Sequence, residues 1–75
     1  MRVWISDAGR RGELRSFFRG VHATAVDIDD HHLEVGMINP NDAWTERRQV
    51  SAYLQTWLDT YGRGLRASIE ADSIE

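Results

Sequence analysis

The stretch that decides the fold is residues 21–38, VHATAVDIDDHHLEVGMI, in which two strand-like segments flank a short polar turn. The first segment covers about Val21 to Ile28. The second runs from His32 to Ile38 and alternates apolar with polar or small residues, as a half-buried strand does. The residues between them, Asp29 to His31, are typical of a tight turn. The stretch therefore predicts a β-hairpin, with one strand and one helix expected on either side of it.

On the N-terminal side, residues Arg2 to Ile5 predict a strand and residues Arg11 to Arg19 predict a helix. Ser6 or Asp7 is a suitable N-cap for this helix. Gly20 is expected to end it in the left-handed conformation. Leu14, Phe17 and Phe18 form its apolar stripe, at the spacing that a helix buries.

On the C-terminal side, the longest periodic pattern in the chain predicts a second helix, which Asn41 or Asp42 caps and Gly62 ends. Gly64 to Glu70 predicts a fourth strand, because Leu65, Ala67 and Ile69 alternate with polar residues. The apolar stripe of the second helix consists of Val50, Leu54, Trp57, Leu58 and Tyr61.

The predicted order is strand, helix, strand, strand, helix, strand. Such an order gives one α+β domain over residues 1–70, in which two helices cover one face of a four-stranded antiparallel sheet, followed by an acidic tail at 71–75. The order resembles the ferredoxin-like fold over about Arg2 to Glu70. That resemblance implies that strands two and four lie at the sheet edges, but it implies no single function, because the fold hosts many.

Composition limits the chain to one small domain. Its 75 residues include no cysteine, so no disulfide supports it and a zinc site would depend on histidine and carboxylate. A chain of this size buries about 60% of its unfolded surface, which makes it marginally stable and favours oligomerisation. No apolar run approaches the roughly 18 residues of a membrane span, and the first residues are too polar for a secretory signal. All nine basic residues are arginine, a bias typical of high-GC genomes; we expect a bacterial, cytoplasmic protein.

The most informative candidate for function is Trp4. Val3 and Ile5 must face the helices, so Trp4 is expected on the open face of the sheet. An exposed tryptophan in so small a domain favours contact with another protein or a second copy. Edge-strand pairing through strands two and four is the other route to association. The predicted partner interface comprises Arg2, Trp4, Thr24, Glu34, Trp44, Arg66 and Ser68.

A second interpretation is binding of phosphate or nucleic acid. Residues 1–20 carry a net charge of +3, whereas residues 21–46 carry −6 and the whole chain −3. A strongly basic nucleic-acid binder is therefore disfavoured, but one local basic patch remains. Its loop, Gly9-Arg10-Arg11-Gly12, resembles the Gly-x-x-Gly loop of KH RNA-binding domains, although it follows a strand instead of a helix. The candidate residues are Gly9, Arg10, Arg11, Gly12, Arg15 and Arg19.

A third interpretation is divalent metal binding at the hairpin. The weak candidate ligands are His22, Asp30, His31 and His32, since histidine and aspartate are good zinc ligands. Adjacent His31 and His32 point to opposite faces of an extended chain, so one ion can reach both only if the turn twists. His22 can join them only in a favourable register. We expect no cofactor.

Catalysis has no support in the sequence. The chain lacks a cysteine nucleophile, and every histidine lies in the one hairpin, away from the serines. Two further pieces, Glu13 to Phe17 after the first strand and Tyr53 to Leu58 before the last, resemble the small effector-associated components of actinobacterial conflict systems. That resemblance implies an accessory adaptor role. The sequence therefore predicts a non-catalytic, self-associating protein–protein interaction module that binds no membrane.

Overall fold

A computed structural model of the chain describes residues 1–38 and 42–70. The strands are β1 (Arg2–Ile5), β2 (Ala23–Asp29), β3 (His32–Met37) and β4 (Ala67–Ile69). The helices are α1 (Arg11–Gly20) and α2 (Ala43–Tyr61), and a short 3-10 helix (Ala8–Arg10) precedes α1. Among the residues described, no helix is both long and apolar enough to cross a bilayer.

The four strands form one antiparallel sheet in the order β2-β3-β1-β4. This confirms the predicted fold class, a small two-layer α+β sandwich compatible with a ferredoxin-like architecture. It also confirms β2 and β4 as the edges. The predicted tail, Ala71 to Glu75, and the predicted break at Asn39 to Asn41 lie outside the described residues.

The core lies between the sheet and the two helices. In β1, Val3 and Ile5 are fully buried, and Trp57 is the largest buried side chain of α2. All the buried side chains are hydrophobic, as the alternation of the strands and the stripes of the helices predict. The core residues are Val3, Ile5, Leu14, Phe18, Ala23, Ala25, Leu33, Val35, Val50, Leu54 and Trp57.

Local polar contacts fix where the helices begin. Asp42 caps α2, since its Oδ1 accepts the backbone N–H of Thr45 at 2.8 Å. This hydrogen bond favours the ionised carboxylate and lowers the pKa of Asp42. Asp7 caps the 3-10 helix in the same way, accepting the N–H of Gly9 at 2.8 Å. The Asp42 cap confirms the prediction for α2. The prediction for α1 needs correction, because its N-cap is Arg10, which makes no side-chain cap hydrogen bond, and Asp7 caps the 3-10 helix instead.

Two glycine expectations need correction. Gly20 is the last residue of α1 and does not have a positive φ; the left-handed residue at this junction is His22, with φ of 65°. Gly62 ends α2 as expected, but with φ of −103°. It is small because a Cβ there would lie 3.0 Å from the backbone of Leu58 and 3.1 Å from the ring of Trp57.

Two further predictions, the length of the fourth strand and the extent of the buried stripe of α2, also need correction. Strand β4 is shorter than Gly64 to Glu70, because Gly64 at φ of +81° turns the chain before the strand begins. Tyr61 was expected in the buried stripe of α2 but is 56% exposed. It is the last residue of the helix, where its ring borders a surface groove beside α1 instead of the core.

Candidate interaction surface

The helices leave one face of the sheet without cover from the described residues, and Trp4 lies on it. Because Val3 and Ile5 are both fully buried against the helices, Arg2 and Trp4 point the opposite way. Trp4 is half-buried and lies between His32 of β3 and Ser68 of β4, its register partners. The indole is therefore neither in the core nor fully in water.

The most exposed apolar side chains of the β2–β3 hairpin are Val26, Ile28 and Ile38, which sequence reasoning missed. Their exposed fractions are 58%, 46% and 53%. Val26 lies outside because its neighbours Ala25 and Asp27 face the core and α1, and Ile28 is the unpaired residue of an irregularity between Asp27 and Asp29. In the first half of β2 the buried side chains are apolar, whereas in the second half the apolar side chains are exposed. The signal was present in the sequence, where the small Ala residues give way to Asp at the inward positions while Val and Ile occupy the outward ones.

Charged groups border these apolar side chains. His32 lies between two carboxylates, with Nδ1 2.8 Å from Asp29 Oδ1 and Nε2 3.2 Å from Glu70 Oε1. The pKa of Asp29 is lowered because its carboxylate accepts the backbone N–H of His31 and also bonds to His32. At the other end of the face, Glu34 Oε2 lies 2.7 Å from the N-terminal ammonium.

The structure divides the predicted interface residues between two surfaces. Most share the open face with Trp4, because they alternate with inward-facing residues of the same strands. Trp44 does not: it belongs to α2, is 66% exposed, and lies 4.7 Å beneath the guanidinium of Arg48. The open-face members are Arg2, Trp4, Thr24, Glu34, Arg66 and Ser68.

The edge formed by β2 is covered by a row of arginines from α1. Arg19 donates to the carbonyl of Ala25 at 2.9 Å, and Arg11 donates to the carbonyl of Asp29 at 2.7 Å. Between them, Arg15 bonds to the carboxylate of Asp27. Four helical residues rise about 6 Å, and two strand residues rise about 6.6 Å. Arginines spaced by four therefore meet strand residues spaced by two, and β2 is protected against pairing with another strand.

This arginine row changes the interpretation of the basic patch. Arg11 Nε also lies 3.0 Å from Asp27, so that carboxylate faces two guanidinium groups. Arg10 turns back on the chain: it donates to Glu13 and to the carbonyl of Tyr61 at 2.8 Å each, and it lies over the ring of Trp57. The candidate phosphate-binding arginines thus bond to this chain's own acids and carbonyls.

The predicted glycine-flanked loop is also not an open cradle. Gly9 belongs to the 3-10 helix and its N–H already bonds to Asp7, while Gly12 lies in the first turn of α1. Arg10 donates its backbone N–H to the carbonyl of Asp7 at 3.0 Å. The amides of Gly9 and Arg10 are therefore used within the loop and do not point at a ligand.

The candidate metal ligands are not brought together. His22 precedes β2, at the end of the hairpin remote from the turn, because Ala23 pairs with Met37. The favourable register that His22 would need to reach His31 or His32 is therefore not the one that the hairpin adopts. His31 Nδ1 lies 2.9 Å from the carbonyl of Ile5, and the side chain of Asp30 is 89% exposed. In residues 1–38 and 42–70, no group of three or more histidine or acidic side chains has the arrangement of a metal site.

No protein-family model, no curated protein and no solved structure matches this chain. The resemblance to components of conflict systems therefore remains a prediction from two short sequence pieces.

Proposed function

We propose that this domain is a non-catalytic protein–protein interaction module that self-associates, and that its sheet is the element that makes contact. One observation carries the proposal. Val26 is 58% exposed on the face of β2 that the helices leave bare, and Ile28 and Ile38, at opposite ends of the β2–β3 hairpin, are 46% and 53% exposed. On the same sheet the half-buried ring of Trp4 lies across His32 from β2. Large apolar side chains exposed on a sheet are typical of a binding surface.

The free energy available from burying these apolar side chains is large for a domain this small. Burying a Val or Ile side chain completely is worth about 1.5 to 3 kcal/mol. Because Val26, Ile28 and Ile38 are each near half-exposed, covering all three recovers roughly 2 to 4 kcal/mol. That amount does not set an affinity by itself, since association also costs rotational and translational freedom. It supports contact at this face over contact at the charged surface of α1.

The charges around the face favour a protein partner over a polyanion. Glu34 and Glu70 lie on it together with Asp29, and Arg2 lies between the two glutamates. The arginines of α1 lie on the other side of β2 and bond within the chain. A mixed-charge rim around apolar side chains is the usual composition of a protein interface.

The experiment uses the two tryptophans that lie outside the core, the half-buried Trp4 and the exposed Trp44, as reporters within one molecule. In a heteronuclear NMR spectrum of the ¹⁵N-labelled full chain, the indole N–H of Trp4 is expected to shift as the concentration rises. The indole N–H of Trp44, on α2, is expected to stay in place and serves as the matched control. Equal shifts of both signals, or no shift of Trp4 up to millimolar concentration, would contradict the proposal.

A further inference from the structure

The second edge of the sheet, formed by β4, lacks the protection that β2 has. The backbone of Arg66 and of Glu70 bonds to the strand-β1 segment at 2.8 Å each, and Ser68 pairs with β1 between them. Backbone groups alternate in direction along an antiparallel strand, so the N–H and C=O groups of Ala67 and Ile69 point away from β1. In the described part of the chain no other strand pairs with β4, and no arginine covers its outer carbonyls.

We propose that a second copy of this chain pairs with β4 through its own β4, antiparallel and centred on Ser68, which joins the two sheets into one of eight strands. The inference rests on the proposed self-association and assigns it a contact at the β4 edge, which leaves Val26, Ile28 and Ile38 on the β2–β3 hairpin free for a further contact. In this register Ala67 lies opposite Ile69 of the second copy, and Arg66 lies opposite Glu70 of the second copy. Each pairing occurs twice because of the two-fold symmetry.

The backbone fits this register. Ala67 and Ile69 are the residues whose N–H and C=O groups point outward, so each Ala67–Ile69 pair exchanges two hydrogen bonds. The two-fold pair therefore makes four backbone hydrogen bonds without disturbing the bonds between β4 and β1. A symmetrical pairing centred between residues 67 and 68 would place residues whose N–H and C=O groups point outward opposite residues whose groups point toward β1. Such a pairing would make no backbone hydrogen bonds between the two copies.

The charges select the same register. Arg66, Ser68 and Glu70 share the open face, so Arg66 faces Glu70 of the second copy directly across the new strand pair. Glu70 uses Oε1 for His32, which leaves its other oxygen for the arginine. Moving the centre to Ala67 would place Glu70 opposite Gly64 and lose both ion pairs. The sequence Arg-Ala-Ser-Ile-Glu is thus complementary to itself when it is read antiparallel.

A groove on the helix side supports the same pairing. Ala67 and Ile69 are half-buried and line a groove of about 280 Å³ beside β4, whose α2 wall carries Leu54 and Leu58 together with the polar Arg47, Ser51 and Gln55. A second β4 would lie at the mouth of this groove and cover it. The open faces of the two copies would then be continuous, with a Trp4 on each side of the junction.

The test exchanges the charges. Arg66→Glu and Glu70→Arg each turn two attractive cross-strand pairs into two repulsive ones, so each is expected to raise the dimer dissociation constant about tenfold or more. An equimolar mixture of the two variants restores both attractive pairs and is expected to associate within about threefold of the wild type. Arg63→Glu makes the same charge change outside the strand and is the matched control. Sedimentation equilibrium measures each sample.

A second measurement on the wild-type chain does not depend on how the variants fold. In a mixture of isotope-labelled and unlabelled chain, intermolecular NOEs between Ala67 and Ile69 are expected in this register and in no face-to-face arrangement. A wild-type dimer that lacks these NOEs, or that both charge variants leave unchanged, overturns the β4 pairing and leaves self-association standing. A wild-type chain that stays monomeric overturns both.

Discussion

Replacing Asp27 by Asn tests whether the arginines of α1 hold the fold together or serve a ligand. The Asp27 carboxylate lies 3.0 Å from Arg11 Nε and bonds to Arg15, and its side chain is 36% exposed. A partly exposed pair of this kind contributes about 0.5 to 1 kcal/mol. Losing two pairs is therefore expected to lower the free energy of unfolding by roughly 1 to 2 kcal/mol. For a domain this small, that corresponds to a Tm lower by roughly 5 to 15 °C.

Urea and thermal unfolding followed by circular dichroism measure this change. Asp30→Asn is the matched control, because Asp30 carries the same charge but is 89% exposed and lies 3.7 Å from Arg11. The control is expected to match the wild type closely. High salt should reduce the difference between Asp27→Asn and the wild type, since ion pairs are screened. If the two variants are equally stable at low salt, the arginines do not stabilise the sheet in the way described.

Three other substitutions test the polar contacts at the ends and edges of the sheet. Arg19→Ala leaves the carbonyl of Ala25 uncovered and is expected to speed aggregation, measured by light scattering, because the β2 edge becomes open to other strands. Glu46→Ala removes the acceptor of the Met37 N–H, 2.9 Å from Glu46 Oε2, and is expected to cost about 1 to 3 kcal/mol in urea unfolding. The lowered pKa of Asp42 stabilises the fold above about pH 4, and this contribution is lost as the pH falls through the pKa of the folded state. Asp42→Ser should therefore reduce the loss of unfolding free energy at acid pH.

Each of these expectations has a control. Arg63→Ala removes an exposed arginine that lies away from β2, and should leave aggregation unchanged. Glu46→Gln keeps an acceptor oxygen and should retain most of the stability that Glu46→Ala loses. Asp42→Ser keeps a side-chain oxygen for the cap, so its stability at neutral pH should stay close to that of the wild type. An unaltered acid profile in Asp42→Ser would refute the assigned role of this carboxylate.

The architecture could be predicted from the sequence because its signals are local. Alternation defined β1 and β3, helical spacing defined the buried stripe of α2, and Asp42 marked where that helix begins. The order of these elements then left few possible sheet topologies. The same alternation placed Trp4 opposite the core.

What could not be predicted depends on contacts between elements distant in the sequence. Val26 faces water because Asp27 beside it turns to Arg11 and Arg15, and the residues near β2 in the sequence do not indicate those partners. The irregular pairing at Ile28 is likewise not indicated by the residues around it. Considered along α1 alone, the arginines suggested a ligand site. Beside β2, however, their spacing of four helical residues matches a spacing of two strand residues, so they bond to β2 instead. His22 takes the left-handed turn that Gly20 was expected to provide, because the chain reverses two residues after the helix ends.

The central claim is that the sheet of this domain binds a second copy of the chain. Sedimentation equilibrium on the full chain, from low micromolar to near-millimolar concentration, tests it most directly. We predict a reversible monomer–dimer equilibrium whose dimer fraction rises with concentration. A single species with the mass of the monomer across the whole range would contradict the claim.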